Sequence, residues 1–543
     1  MDVAWPVSII SPVGYFSSTC GYCRPKDGRP RSSCPKSSRS FGMWLHQLSP
    51  LDYQALCDQG WRRSGNYVYK PDLERTCCKQ ISIRLDARRF AMSKGQGRRV
   101  RAVIQALSER GDDEVHRMVW GKGKGKGKYA QPIDLEAVFK VLGGEQVEQR
   151  PEAALQNAAA MNRYHDQRRQ QAEKRRRLAR EAKTTSLSPP HIPPVAGPSI
   201  LAGRDLTSHL YTQLLPASST GEKYALFRRY QMAIHRESED EVSDRKGFER
   251  FLCKSSLRTT PVQGKTRGGS VMKDANGDPV AYGAYHMEWR LRSSGSSSGQ
   301  TNGDAHGPAP VDELVAVGVL DILPSALSSV YLFYSPSHAN LQLGHLSALR
   351  EIVLARQLHA SGLLTQPRYY MGFYIEDCAK MRYKAGFRPS EVLDVDAGGE
   401  GKARTEWREV SEVVERIREG QAYGWRVASP SAEDRRINEK EQAAEQPKAG
   451  CEELETSSSD DSGDDSDEDE DDFLPCPSPP GILDPASITP AQMARTAVLE
   501  ASAQEEGVKP LMIAGLGDTE RRQVIECVAA LGLELAQRVV FFT

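Results

Sequence analysis

LVAVGVLDILPSALSSVYLFY (residues 314–334) holds two apolar runs rich in β-branched and aromatic residues, separated at Pro324 and followed by Pro336. Short runs of this composition with proline at their ends read as strands. Working outward, LGHLSALREIVLARQLHASG (343–362) places Leu346, Leu349, Ile352 and Val353 on one helical face and stops near Gly362. RYYMGFYI (368–375) reads as another strand, as does AYGAYHMEWRL (281–291) upstream. EKYALFRRYQMAIHRE (222–237) and VSDRKGFERFLCK (242–254) read as amphipathic helices. The order strand, strand, helix, strand predicts an α+β fold built from α/β layers.

The rest of the chain divides around this region. Its 543 residues are too many for one ordinary domain. Residues 1–110 form a cysteine-rich domain, with strand-like YVYK and ISIRL and a helix carrying Val100, Val103, Ile104 and Leu107. Residues 111–203 are a basic and proline-rich linker, expected to be disordered or a solvated helix: GKGKGKGK (121–128) resists helix, and QRRQQAEKRRRLAR (167–180) has no apolar stripe. The core domain spans 204–428, with a flexible loop at 293–310. Residues 429–485 read as a disordered acidic linker that includes EELETSSSDDSGDDSDEDEDD (452–472). Residues 486–543 are a C-terminal appendage with helical patterning, a β-branched end and no functional reading.

Net charge indicates no partner, since Lys+Arg and Asp+Glu are both 72. The basic stretches 88–101, 121–128 and 167–180 are the candidates for phosphate contacts, which are salt-sensitive and read no sequence. No apolar run reaches the length of a membrane span, and the first residues lack a signal-peptide pattern. An intracellular protein is expected, with its 11 cysteines mostly reduced. Among them Cys20-Gly-Tyr-Cys23 is a CxxC and Cys77-Cys78 a vicinal pair. CxxC lets two thiolates grip one metal from a single turn. The vicinal pair joins them only if the backbone turns there. Four thiolates suit zinc or an iron–sulfur cluster, and residue identity does not choose between these. Buried inert cysteines are the bland alternative. Cys34, Cys57, Cys253, Cys378, Cys451, Cys476 and Cys527 are expected to be unligated.

Several longer stretches are more specific. CGYC (20–23), WRRSGNYVYKP (61–71), TCC (76–78) and IRLDA (83–87) resemble the N-terminal region of eukaryotic arginyl-tRNA–protein transferases. GFERFLCKSSL (247–257), AVGVLDILPSALSSVYLFY (316–334), LGHLSALREI (343–352) and YYMGFYIEDCAKMRYKAGFRPSEVL (369–393) resemble the C-terminal region of the same family. The resemblance implies transfer of arginine from arginyl-tRNA to proteins beginning with Asp, Glu or oxidised Cys. It also implies a degradation signal of the N-degron pathway, read by ubiquitin conjugation, and a cytoplasmic enzyme with the nucleus as a second compartment. It implies a GNAT-like acyltransferase core and an iron–sulfur cluster on Cys20, Cys23, Cys77 and Cys78, with zinc or haem as alternatives.

The chemistry expected is aminolysis of an activated ester. It requires no ATP, in keeping with the absence of a GxxxxGK[ST] loop. AKMRYKAGF (379–387) resembles the helix–turn of GNAT enzymes through Ala379, Tyr383, Gly386 and Phe387. The loop SPSHANLQLGHLS (335–347) has one glycine, too few for the pyrophosphate turn of an acetyl-CoA enzyme. Arg382, with Lys384 assisting, is the candidate reader of an acidic N-terminal side chain, because arginine holds a carboxylate bidentately. Solvated basic residues are the alternative. Tyr383, Ser347 and Arg350 are further substrate-binding candidates. Tyr331, Asp321 and His338 are the catalytic candidates. Rival readings are a leucyl-type aminoacyltransferase, a GNAT-type N-acetyltransferase and a non-catalytic metal- or haem-binding regulator. Oligomeric state is not legible.

Overall fold

The computed structural model describes residues 5–22, 36–107, 135–143, 208–262, 271–293, 312–398, 402–418, 473–501 and 508–543. The basic runs 121–128 and 167–180, the loop 294–311, the acidic run 452–472 and Cys23 lie outside the described residues.

The fold is mixed α+β, with two sheets. In chain order the strands are β1 (Ser8–Ser18), β2 (Ser38–Gln47), β3 (Arg62–Ser64), β4 (Tyr67–Pro71), β5 (Ile81–Asp86), β6 (Ser208–Pro216), β7 (Gly283–Ser293), β8 (Asp312–Leu323), β9 (Ala326–Tyr334) and β10 (Arg368–Tyr374). They continue with β11 (Ser390–Gly398), β12 (Lys402–Glu409), β13 (Ala497–Ala501), β14 (Val508–Leu511) and β15 (Val539–Phe542). The first sheet runs β14-β13-β15-β1-β2-β4-β3 and the second β12-β11-β5-β10-β9-β8-β7-β6.

Neither sheet is contiguous in sequence. β5 inserts between β10 and β11, pairing antiparallel with both. β15 lies parallel to β1, pairing Ser8 with Val539 and Ile10 with Phe541. The C-terminal residues therefore complete a sheet begun at the N-terminus. Their helix Asp518–Leu531 buries Val524, Cys527, Val528 and Leu531 in the same core as Ile10, Phe41, Met43 and Leu45.

The helix Lys94–Ala106 opens with a capping box, in which Ser93 and Gln96 satisfy each other's backbone N–H. Its Val100, Val103 and Ile104 pack into the core of the second sheet, with Leu343, Leu346 and Leu349. The helix Leu343–Ala360 is buried on most of its circumference, beyond the single face that spacing suggests. An all-round apolar helix must be enclosed. It lies against the second sheet, with its first turn near the end of β9.

The sheets are joined by a buried ion pair. Arg63 on β3 donates from Nε to Asp321 Oδ2 (2.7 Å) and from Nη2 to Asp321 Oδ1 (2.6 Å) on β8. Core residues Leu323, Ala326 and Tyr370 of the second sheet also pack into the first sheet's cluster. No described helix is long and apolar enough to cross a membrane.

Candidate functional site: a strand divergence beside a cysteine cluster

β9 and β10 are the only parallel neighbours among the described strands of the second sheet. They pair only at Ala326–Arg368, Leu327–Tyr369 and Ser328–Tyr370, and then part. Each strand bulges where they separate. β9 skips Val330 in its register with β8, since Leu320 faces Ser329 and Val319 faces Tyr331. β10 carries an extra residue between Tyr370 and Phe373 in its register with β5. Gly372 supplies the left-handed φ of 72° that this turn of the chain needs. The result is a gap in the sheet lined by backbone whose ladder partners have been withdrawn.

A buried carboxylate closes the floor of the gap. Glu351 is 1% exposed. It accepts from Ser347 Oγ (2.5 Å) and Tyr369 OH (2.6 Å). Gly318 on β8 faces the pair, and a Cβ there would sit 3.4 Å from Glu351 Oε1 and 3.7 Å from Ser347 Oγ, in ordinary contact. Burial raises the Glu351 carboxyl, against the hydrogen bonds of Ser347, Tyr369 and Ser329. Across the gap, Lys384 Nζ donates to the Phe373 carbonyl at 2.9 Å. Burial, and then the nearby Arg62 charge, push its ammonium down to about 7. One wall is aromatic. Tyr331 donates to Gln231 Oε1 (3.1 Å) and packs edge-on against Phe251, while Tyr230 meets Tyr334 at 4.9 Å between centroids. Tyr383 is 37% exposed at the mouth.

The structure thus brings together Tyr331, Ser347, Tyr383 and Lys384 of the sequence candidates. Arg382 sits outside, on the short helix Ala379–Arg382, bonded to the Glu376 carbonyl and 3.9 Å from the Glu376 carboxylate. Asp321 is fully buried, with its carboxylate held by Arg63. His338 lies between Ser335 Oγ (3.2 Å) and Glu313 Oε2 (3.5 Å). Arg350 points away from the gap, toward β6. There it donates to Thr212 and lines a separate polar cavity of about 440 Å³ with Phe139, His209 and Arg292. Residue types alone did not single out Arg62, which lies in WRRSGNYVYKP, or the Gln231 and His235 contacts of Tyr331. A charged pair next to a strand's first residue was the available signal for Arg62.

The cysteine cluster adjoins this gap. The Sγ atoms of Cys20, Cys77 and Cys78 all lie within 4.8 Å of one another. The backbone turn that the vicinal pair requires is present. Asp72 Oδ1 accepts from the N–H groups of Glu74 and Arg75, and Thr76 bridges to the backbone of Arg39. Cys77 N–H donates to the Ser37 carbonyl at 3.0 Å. Burial and the neighbouring thiols of Cys20 and Cys77 push the Cys78 thiol up. Soft sulfur donors in this arrangement suit zinc or an iron–sulfur cluster. Phe373, Ile375, Cys378 and Met381 pack on Cys20 and Cys78, which links the cluster to β10 and the helix at the mouth.

Residues 18–98 match the family described as arginine-tRNA-protein transferase, N terminus, and residues 222–394 match its C terminus. The arginyl-tRNA–protein transferase 2 of Arabidopsis thaliana is 30% identical over 484 residues, covering 71% of this chain and 73% of the relative. The arginyl-tRNA–protein transferase 1 of Drosophila melanogaster is 28% identical, covering 80% and 88%. An aspartate/glutamate leucyltransferase of Halorhodospira halophila is 46% identical over 81 residues, covering 15% of this chain and 32% of the relative. The two matched regions hold the cysteines of the first sheet and the diverging strands of the second, and the chain belongs to the arginyl-tRNA–protein transferase family.

Proposed function

We propose that this protein transfers arginine from arginyl-tRNA to the N-terminal amine of target proteins, at the gap between β9 and β10. The observation that carries the reading is the kinship over most of the chain with arginyl-tRNA–protein transferases, one of them 30% identical. The gap gives that kinship a place to act. The parted parallel strands offer unpaired backbone groups to an extended acyl chain, in the manner of a GNAT-like core.

In the reaction the acceptor α-amine attacks the ester carbonyl carbon of arginyl-tRNA. A C–N bond forms, the C–O bond to the ribose breaks, and the proton lost by the amine ends on the ribose hydroxyl. An α-amine has a pKa of about 7.7–8.0, so a useful fraction is already neutral near pH 7. Holding the two reactants in line supplies much of the rate. Tyr331, Ser347 and Tyr383 line the gap as hydrogen-bonding groups for the ester and the amine. Acceptors with acidic first residues suit the cations near the mouth, Lys384 inside and Arg382 at the rim. The leucyltransferase relative, named for aspartate and glutamate, supports that acceptor class. The product would enter the N-degron pathway of ubiquitin-dependent degradation in the cytoplasm.

Cys20, Cys77 and Cys78, with Cys23, would hold an iron–sulfur cluster or zinc. Bound there, the group would supply positive charge to the thiolates and tie the end of β1 to the turn after β4. Haem is the further alternative at these thiols.

The test is transfer of radiolabelled arginine from arginyl-tRNA to peptides beginning with Asp, Glu or Ala, using protein prepared without oxygen. Leucyl-tRNA and acetyl-CoA serve as competing donors. Arginine transfer confined to the acidic peptides is expected. No transfer from any donor, by folded and metal-loaded protein, would leave a binding-only regulator as the better account.

A further inference from the structure

Arg62 lies on β3, at the edge of the first sheet, and its guanidinium reaches the second. Nη1 donates to the carbonyls of Cys57 (3.1 Å) and Trp61 (2.6 Å). The guanidinium carbon lies 5.2 Å from the centre of the Tyr370 ring and 5.7 Å from that of Phe373. These two rings flank the Gly372 bulge. Arg62 is 6% exposed, and its Nε and Nη2 are buried with no hydrogen-bond partner among the described residues.

Its neighbours are treated differently. Arg63 gives the same Nε and Nη2 edge to the two oxygens of Asp321. Arg84 is shared by Asp58 and Glu391. A buried charge is ordinarily paired, because leaving its donors empty costs their full desolvation. The unfilled edge of Arg62 presents two parallel donors, the fork that matches a carboxylate. It lies beside Lys384, whose ammonium feels its charge. The adjoining segment Ala379–Gly386 is a short helical turn with Arg382 and Tyr383 at the surface.

We propose that Arg62 binds the side-chain carboxylate of the acceptor's first residue through its Nε and Nη2 edge. This rests on the transferase reading and assigns its acceptor specificity to a residue of the first sheet. Arg382 is then an outer contact, since it is exposed and already meets Glu376. The acceptor pocket needs both sheets: β3 supplies the carboxylate's partner and the β9–β10 gap supplies the place of reaction.

The test uses the full chain and two peptides differing only in their first residue, Asp or the isosteric neutral Asn. Arginine transfer is measured as kcat/KM for each. In Arg62→Lys, which keeps the charge but loses the fork, and in Arg62→Met, the Asp-to-Asn ratio is expected to fall by at least about tenfold, or ~1.4 kcal/mol. Transfer to the Asn peptide should persist. Arg382→Ala should lower the ratio by less than either Arg62 variant does, as expected of an exposed outer contact. An unchanged ratio in the Arg62 variants, or an equal loss for both peptides, overturns the proposal. A structure of the unaltered protein with an Asp-initiated dipeptide decides the matter if the variants do not fold. A carboxylate seated on Arg62 supports the proposal, and one held elsewhere overturns it. No arginine transfer by the unaltered chain to either peptide overturns the transferase reading, and this inference with it.

Discussion

Replacing Asp321 by asparagine strips the counter-charge from Arg63 in a place water does not reach. The two side chains of the native pair, Arg63 and Asp321, are 3% and 0% exposed, and they share two parallel hydrogen bonds of 2.7 and 2.6 Å. The remaining bond from Arg63, to the Gly65 carbonyl, is long at 3.3 Å. The substituted amide could accept only one good bond from the guanidinium fork, and the positive charge would stay buried. Breaking one side of such a pair costs about 3–5 kcal/mol. Against a total stability of roughly 5–15 kcal/mol this is a large fraction. The double replacement Arg63→Met with Asp321→Leu removes both charges and fills similar volume, so it is expected within about 2 kcal/mol of the original. Urea unfolding of the original, Arg63→Met, Asp321→Leu and the double variant gives the coupling energy directly. Transfer of arginine by the double variant decides Asp321's role. If Asp321 only ties β8 to β3, activity returns with stability. If single variants lose less than about 1 kcal/mol, the pair does not hold the sheets together. If the double variant is stable yet about a hundredfold slower, Asp321 takes part in the chemistry.

Three further outcomes are expected. Cys20→Ser, Cys77→Ser and Cys78→Ser should each lower the iron or zinc retained by anaerobically purified protein, whereas Cys57→Ser, buried elsewhere in the first sheet's core, should not; elemental analysis distinguishes them. Deleting residues 473–543 uncovers the β1 edge and removes Val528, Leu531 and Phe541 from the core, at about 1.5–3 kcal/mol for each large side chain, so the remaining chain should aggregate; a soluble, cooperatively melting product would refute this. His286 is fully buried, and burial followed by the Lys223 charge pushes its imidazole down to about 4. The unfolded chain takes up that proton below pH 6.5 and the folded chain does not until about 4, so stability should fall by up to about 3 kcal/mol as pH drops through this window. His286→Asn should flatten the fall in a pH series of urea midpoints, and an unaltered slope would show that other groups cause it.

Local periodicity made several elements readable. The strands around Pro324, the helix beginning at Leu343 and the capped helix carrying Val100 each announce themselves within a dozen or so residues, because side-chain alternation and capping are short-range. The cysteines were legible as a set, since thiols have few other reasons to cluster. The turn that lets both Cys77 and Cys78 face Cys20 depends on Asp72, whose role shows only through its bonds to Glu74, Arg75 and Tyr15. Asp321 illustrates the opposite case. A carboxylate in an apolar strand suggests chemistry, and its partner lies 258 residues away in sequence on another sheet.

The sequence by itself determined the family, the α+β layering and three cysteines, Cys20, Cys77 and Cys78, that meet in the described cluster. These follow from composition, spacing and motifs that need no distant partner. Only the tertiary structure decided which strands stand side by side. It placed residues 81–86 in the second sheet and residues 539–542 against residues 8–10 in the first. It also showed which buried charges are answered, as for Arg63, and which are left open, as for Arg62. Backbone hydrogen bonding between strands carries no residue-specific signal, and whether a buried charge finds its counterpart depends on chain segments hundreds of residues apart. Both are properties of the packed whole.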